Sequence, residues 1–254
     1  MTAEAAARKI APNPVEARLR RDLAAAYRLV AMYGWDDLLF THLSVRIPGP
    51  EHHFLLNPFG LMFEEVTASS LVKVDLDGNV VEPTEYLVNA AGFTIHSAVH
   101  AGREDAQCVI HIHTVAGTGV SCQEHGLLPI HQEAMLIHSQ LAYHDYEGVA
   151  FNHEERPRLV ADLADKNYML LRNHGTLTVG RSVAEAFSRM YHLERACQMQ
   201  IAALAGPGRV ITPGEDVQAV TRTQGDGNQQ MVADNYIWPA LLRKLDRLGA
   251  DYDR

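Results

Sequence analysis

The chain has 254 residues, 47% hydrophobic and 21% charged, an ordinary globular balance with length enough for a sizeable core. Its formal net charge of -9, from 22 basic and 31 acidic side chains, argues against a general nucleic-acid binder, which carries a basic face. Cys108, Cys122 and Cys197 are too few and too far apart for a disulfide framework, and no run of about 20 apolar residues could span a membrane. Met1 to Ile10 also lacks the apolar run of a secretory signal, so the cytoplasm is the expected compartment, with no membrane partner.

Residues 1–14, alanine-rich and broken by Pro12 and Pro14, read as a flexible N-terminal arm, and residues 15–254 as one domain. From Val15 to Tyr33, Leu19, Leu23, Ala26 and Val30 recur at helical spacing, and Gly34 follows as a C-terminal cap. Leu43 to Ile47 alternates like a strand, with Phe54 to Leu56 as its hairpin partner. Leu71 to Val81 carries Asp77-Gly78, a hairpin turn signal. The run Asp75-Leu76-Asp77-Gly78-Asn79 resembles a calcium loop only superficially, because Tyr86 stands where the bidentate glutamate belongs. Asn89 to Ala101 reads as a helix, Ala106 to His113 as a buried strand and Val115 to Ser121 as a short helix. Tyr143 to Tyr146 looks like a surface loop. Tyr168 to Arg172 and Thr176 to Val179 read as short strands around an Asn-His-Gly turn. A long helix from Val183 to Leu204 stops at Ala205-Gly206-Pro207-Gly208, and Tyr236 to Leu248 forms a last helix with Trp238, Leu241, Leu242 and Leu245 on one side.

The spacing with the clearest chemistry is His111-Ile112-His113. Alternate residues of a strand point to one face, so both imidazoles can grip one ion. His174, in Asn173-His174-Gly175, is a third candidate. Neutral imidazole is the commonest ligand for divalent transition metals, and three of them leave a coordination position open, as a catalytic site requires. The alternative is two polar strand residues and a turn histidine, each satisfied by a neighbour.

Six landmarks stand in order along the chain: Tyr33-Gly34-Trp35-Asp36-Asp37, Thr41-His42-Leu43-Ser44-Val45-Arg46, Asn57-Pro58-Phe59-Gly60, the His111 and His113 pair, Arg172-Asn173-His174-Gly175, and Leu193-Glu194-Arg195-Ala196-Cys197. Together they resemble the class II aldolase/adducin family from about residue 16 to about residue 250. The resemblance implies an α/β/α domain whose central, mostly antiparallel sheet is flanked by helices, and usually a homotetramer. It implies Zn²⁺, with Mn²⁺ or Fe²⁺ as alternatives, on His111, His113 and His174. The family's sugar-phosphate aldolases keep a catalytic glutamate nineteen positions before the first metal histidine, a register that falls on Gly92 here. Their phosphate-holding positions correspond to Thr41-His42, Phe59-Gly60 and Ala90-Ala91, and their tyrosine proton donor to Gln132. The metal set is therefore kept while the phosphate grip and the acid/base group are replaced. Val88-Asn89-Ala90-Ala91-Gly92-Phe93-Thr94-Ile95-His96-Ser97 looks instead like the adducin-like branch.

Two residues are candidates for the missing catalytic role. Glu133 lies on a segment that the family brings toward the metal, against the alternative of an exposed charge on a helix. His42 replaces a phosphate-side asparagine and either meets a substrate carboxylate or caps a strand. His96, one helical turn after Gly92, either bonds within the helix packing or reaches the metal region. Three functions stay open: a divalent-metal-dependent lyase with aldolase or decarboxylase chemistry on a small, non-phosphorylated hydroxy- or oxo-acid; an Fe(II)-dependent oxygenase; and a non-catalytic, adducin-like interaction module.

Overall fold

The computed structural model describes residues 13–149, 152–225 and 227–254. Most of the expected arm, residues 1–12, lies outside the described residues; its last member, Pro14, already opens a helix. Helix α1 runs Pro14–Met32, and the Asn13 side chain caps it by accepting from the Glu16 N–H at 2.9 Å. Proline at the first position loses no hydrogen bond there. Gly34 follows at φ 66°, and its N–H closes the last turn onto the Ala31 carbonyl.

Strands β1 (His42–Arg46), β2 (Phe54–Leu56) and β3 (Val72–Val74) come next, then α2 (Ala90–Gly102), β4 (Cys108–Ile112) and α3 (Val115–Ser121). The middle of the chain forms α4 (Gln132–Ile137), β5 (Leu141–His144), α5 (Arg156–Leu163), β6 (Tyr168–Leu171) and β7 (Gly175–Gly180). Helices α6 (Val183–Leu204), α7 (Glu215–Gly225), α8 (Gln229–Val232) and α9 (Trp238–Arg247) complete the order. The seven strands make one sheet in the order β3-β2-β1-β4-β7-β6-β5. Every neighbouring pair is antiparallel except β5 with β6, the parallel pair that α5 connects. The expected mostly antiparallel sheet between helices is what forms.

The period of two decides which helices cover which face. Leu43 and Val45 of β1 and Ile110 and Ile112 of β4 share a core with Leu23, Tyr27 and Val30 of α1, Phe187 of α6 and Trp238 of α9. Val109 of β4 turns the other way, into a second core with Ile95 and Val99 of α2, Leu159 and Leu163 of α5, and Leu177 of β7. The sheet is thus the middle of three layers. His42, Ser44 and Arg46 alternate with Leu43 and Val45, so they face α2, and the register sets His42 directly opposite His111.

Several expected elements change in detail. Tyr143 and His144, read as loop, are the end of β5, pairing with Leu170 and Leu171. The polar sequence hid the strand because His144 is buried against Asp162 and Glu155, its ring nitrogens 2.7 and 3.2 Å from their carboxylates. The Asp77-Gly78 turn forms, with Gly78 at φ 87°, but its return strand shrinks to a single Val74–Val80 bridge. The last helix keeps its apolar side, with Trp238 and Leu245 buried, and is preceded by a wide π turn over Ala233–Ile237.

Candidate metal centre

His111 is the second-last residue of β4, and His113 stands just beyond the strand end. His174 comes from the tight turn between β6 and β7, where Asn173 takes a left-handed φ of 57°. The three imidazole rings lie 4.7 Å apart in each pairing, and one nitrogen from each falls within 4.8 Å of the others. The backbone makes room for them at Gly175. A Cβ there would stand 2.6 Å from the Ile112 carbonyl oxygen, 2.9 Å from His113 Cδ2 and 3.4 Å from His111 Cε1.

Hydrogen bonds fix two of the ring orientations. His111 Nδ1–H donates to the Thr176 carbonyl at 3.0 Å, and His113 Nδ1–H donates to the Asp37 carboxylate at 3.1 Å. Both Nε2 atoms are then unprotonated acceptors, yet they face each other at 3.0 Å. Two bare lone pairs at that distance repel unless a cation lies between them. A tetrahedral zinc with Zn–N bonds of about 2.0–2.1 Å sets its ligand nitrogens roughly 3.3 Å apart, close to what is seen. Burial holds His111 well below the usual imidazole range, with the charges of His174 and His113 adding to the effect. Burial, then His113 and His144, hold His174 at about 4. The donor set thus suits a divalent cation.

A second group of imidazoles extends from this centre under α2. His42, opposite His111, donates from Nδ1 to the Asn57 side-chain oxygen at 3.2 Å, and burial pushes it down to about 4. The His96 ring stands edge-on to His42 with centroids 6.1 Å apart. Ser44 Oγ lies 2.6 Å from His96 Nδ1 and 2.8 Å from His100 Nε2, and His100 Nδ1 donates to the Ala106 carbonyl at 3.0 Å.

Of the sequence candidates, His111, His113, His174 and His42 are brought to one end of the sheet face. Glu133 is joined instead to His192 of α6, with Nδ1 and Oε2 2.7 Å apart. The side chains at positions 90–92, which include the register of the aldolase glutamate, lie outside the described residues. Sequence reading missed Asp37, which orients His113, and the Ser44–His100 link. Asp37 belongs to the first landmark quoted above, but nothing in that stretch marks one aspartate as reaching 76 residues ahead.

The sequence profile of the Class II Aldolase and Adducin N-terminal domain matches residues 21–201. The chain belongs to the class II aldolase and adducin family. It is 56% identical over 241 residues to a Caulobacter vibrioides protein named for the class 2 aldolases, covering 94% of this chain and 93% of that one. It is 43% identical over 255 residues to alpha-adducin of Rattus norvegicus, covering 94% of this chain and spanning only 34% of the adducin. The crystal structure of an aldolase II superfamily protein from Pseudomonas syringae superimposes with a TM-score of 0.90 at 48% identity, covering 97% of this chain and 98% of that one. The L-fuculose 1-phosphate aldolase of Glaciozyma antarctica PI12 superimposes with a TM-score of 0.82 at 31% identity, covering 96% of each chain.

Proposed function

We propose that the chain is a divalent-metal-dependent carbon–carbon lyase acting on a small, non-phosphorylated hydroxy- or oxo-acid, with His111, His113 and His174 holding Zn²⁺. The observation that carries this reading is the convergence of three imidazoles, with the Nε2 atoms of His111 and His113 facing each other at 3.0 Å while the Nδ1 of each ring is turned to another acceptor. When bound, the ion supplies a Lewis acid that polarises a carbonyl or stabilises negative charge as a carbon–carbon bond breaks. The chain's own residues do the rest. Asp37 and the Thr176 carbonyl hold the tautomers of His113 and His111. His42, buried and neutral beside the centre, offers a polar contact for the substrate without a charge of its own. Glu133 stays the candidate proton donor on its sequence position alone, since its carboxylate is paired with His192 at 2.7 Å.

The fuculose-phosphate aldolase relative favours a phosphorylated substrate, and the local residues weigh against it. A phosphate needs cations or several donors, and Thr41, His42, Phe59, Gly60, Ala90 and Ala91 supply no cation. The adducin relatives support the second reading, a non-catalytic interaction module. We assign a homotetramer in the cytoplasm on the family likeness; among the described residues no helix is long and apolar enough to cross a membrane.

Elemental analysis of protein purified without added metal decides between these readings. The expected result is close to one zinc per chain, with any lyase turnover lost on chelation and restored by zinc. Iron in place of zinc, with oxygen consumed as product forms, would turn the assignment to an oxygenase. An intact oligomer without metal would leave the interaction module. Glu133→Gln is expected to lower turnover while leaving metal content unchanged; full turnover in that variant removes Glu133 from the mechanism.

A further inference from the structure

Leu193-Glu194-Arg195-Ala196-Cys197, the last of the six landmarks, lies in α6, and it sets a carboxylate in an apolar place. Leu193, Ala196 and Cys197 pack with Val120 and Ala116 of α3, and Glu194 in the same stretch is 2% exposed. Burial pushes its carboxyl up, opposed by donors from Thr114, Gln198 and Gly117. An acidic group held in such a place needs partners, and the partners show what it does. Gln198, four residues on, donates from Nε2 to Oε1 at 2.8 Å. The Thr114 hydroxyl donates to Oε2. Thr114 is the residue after His113.

The first turn of α3 carries that contact to the rest of the metal centre. Thr114 Oγ1 caps the helix by accepting from the Gly117 N–H at 3.0 Å. One turn further, Thr118 Oγ1 donates to the His174 carbonyl at 3.3 Å. Between them Gly117 lets the backbone come close. A Cβ there would stand 2.7 Å from Thr114 Oγ1, 2.7 Å from Thr176 Cγ2 and 3.3 Å from Glu194 Oε2. Thr176 is the residue whose carbonyl orients His111. The turn thus meets the neighbour of His113, the backbone of His174 and the support of His111. His113 and His174 both lie past the last pair of the β4–β7 ladder, Ile112 with Thr176, where that ladder no longer fixes them.

We infer that Glu194 is a positioning residue of the metal centre, which through Thr114 and the first turn of α3 fixes the spacing of His113 and His174. The assignment rests on the metal-centre reading above and deepens it. The carboxylate acts at a distance by tying the turn to α6. Without that anchor the two rings can drift apart, and an ion that needs three nitrogens at one bond length is held less tightly.

Zinc titrations and the visible spectrum of the cobalt-loaded protein test this on the intact chain. Glu194→Met keeps the reach of the side chain and removes the acceptor. It should weaken zinc binding about 10- to 100-fold and shift the cobalt bands. Glu194→Gln still offers an oxygen to Thr114, and should bind zinc within about threefold of wild type, with the wild-type spectrum. Thr118→Val keeps the shape of its side chain and removes the donor to the His174 carbonyl, so it should weaken zinc binding about fivefold and shift the same bands. This variant decides the matter if Glu194→Met does not fold. Unchanged zinc affinity and cobalt spectrum in Glu194→Met, with only its melting midpoint lowered, overturn the proposal and leave Glu194 a structural residue. Unchanged values in Thr118→Val overturn it as well, and so does an equal loss in both Glu194 variants, since the oxygen facing Thr114 would then not be what matters. In each of these cases the metal reading stands. A wild-type protein that takes up neither zinc nor cobalt overturns both.

Discussion

Two groups of imidazoles, one half-buried and one fully buried, meet at one end of the sheet, and they use their ring nitrogens in opposite ways. In the row His42, His96 and His100, the neighbouring chain meets most of the hydrogen-bonding capacity: Asn57, Ser44 and the Ala106 carbonyl each take up a ring nitrogen. In the cluster His111, His113 and His174, the chain uses the outward nitrogens of His111 and His113 and leaves their inward lone pairs facing each other. Burial depresses His111 and His174 in the one group and His42, His96 and His100 in the other. Only convergence of unsatisfied lone pairs distinguishes a place for a cation from a polar core.

The contrast breaks most sharply if a cluster residue is removed. His111→Ala takes out the most buried of the three rings and is expected to lower zinc affinity by more than the roughly 10- to 100-fold typical of losing an outer partner. Metal content measured after dialysis should fall from near one ion per chain to near none while circular dichroism stays unchanged. Zinc retained at full stoichiometry would mean that the cluster is another polar core and that the two groups do not differ.

Acid sharpens the comparison from the other side. The metal-free protein contains His42 held at about 4 and His100 held at about 3, both chiefly by burial, whereas in the unfolded chain each titrates near the ordinary value of about 6.5. Between those values the unfolded state takes up protons that the folded state refuses, so stability falls as pH drops. Each group contributes up to about 1.4 kcal/mol per pH unit within its window, which closes at about pH 4 for His42 and about pH 3 for His100. Thermal melts of the metal-free protein should therefore be nearly flat above pH 7 and fall steeply from about pH 6.5 toward pH 4. A midpoint indifferent to pH across that range would show that the row is open to solvent and not buried.

Ser44→Ala tests whether the row is structural. It leaves His96 Nδ1 and His100 Nε2 without their shared partner and should cost about 1–3 kcal/mol of stability, with zinc affinity within about threefold of wild type. A large loss of zinc with unchanged stability would place Ser44 in the metal centre and erase the distinction.

The same comparison explains what was legible in the sequence. The period of two on β1 and β4 assigned Leu43, Val45, Ile110 and Ile112 to one core and marked His111 and His113 as companions, because alternation is a local property. The helical spacing of α1 and the capping glycine at Gly34 were local as well. Strand β5 was missed because its polar residues are satisfied by Asp162 and Glu155 of a later segment, which no window around Tyr143 contains. Asp37 was missed for the same reason, and so was the link from Ser44 to His96 and His100. What depends on the neighbour in sequence could be read; what depends on the neighbour in space could not.

Asp37 carries the smallest expected effect and the finest distinction. Its side chain is 45% exposed, so its charge is screened, and its main contribution to His113 is an acceptor in the right place. Asp37→Asn keeps a neutral oxygen that can still accept from Nδ1–H, and should weaken zinc binding by about tenfold, the low end for an outer partner. Asp37→Ala removes the acceptor and should cost more, because His113 is then free to rotate or to carry its hydrogen on Nε2, where it blocks the metal. Zinc titrations of both variants separate the two contributions. Equal losses would make the carboxylate charge responsible, a loss only in the alanine variant would make orientation responsible, and no loss in either would mean that His113 is held by its packing against His111 and His174 alone.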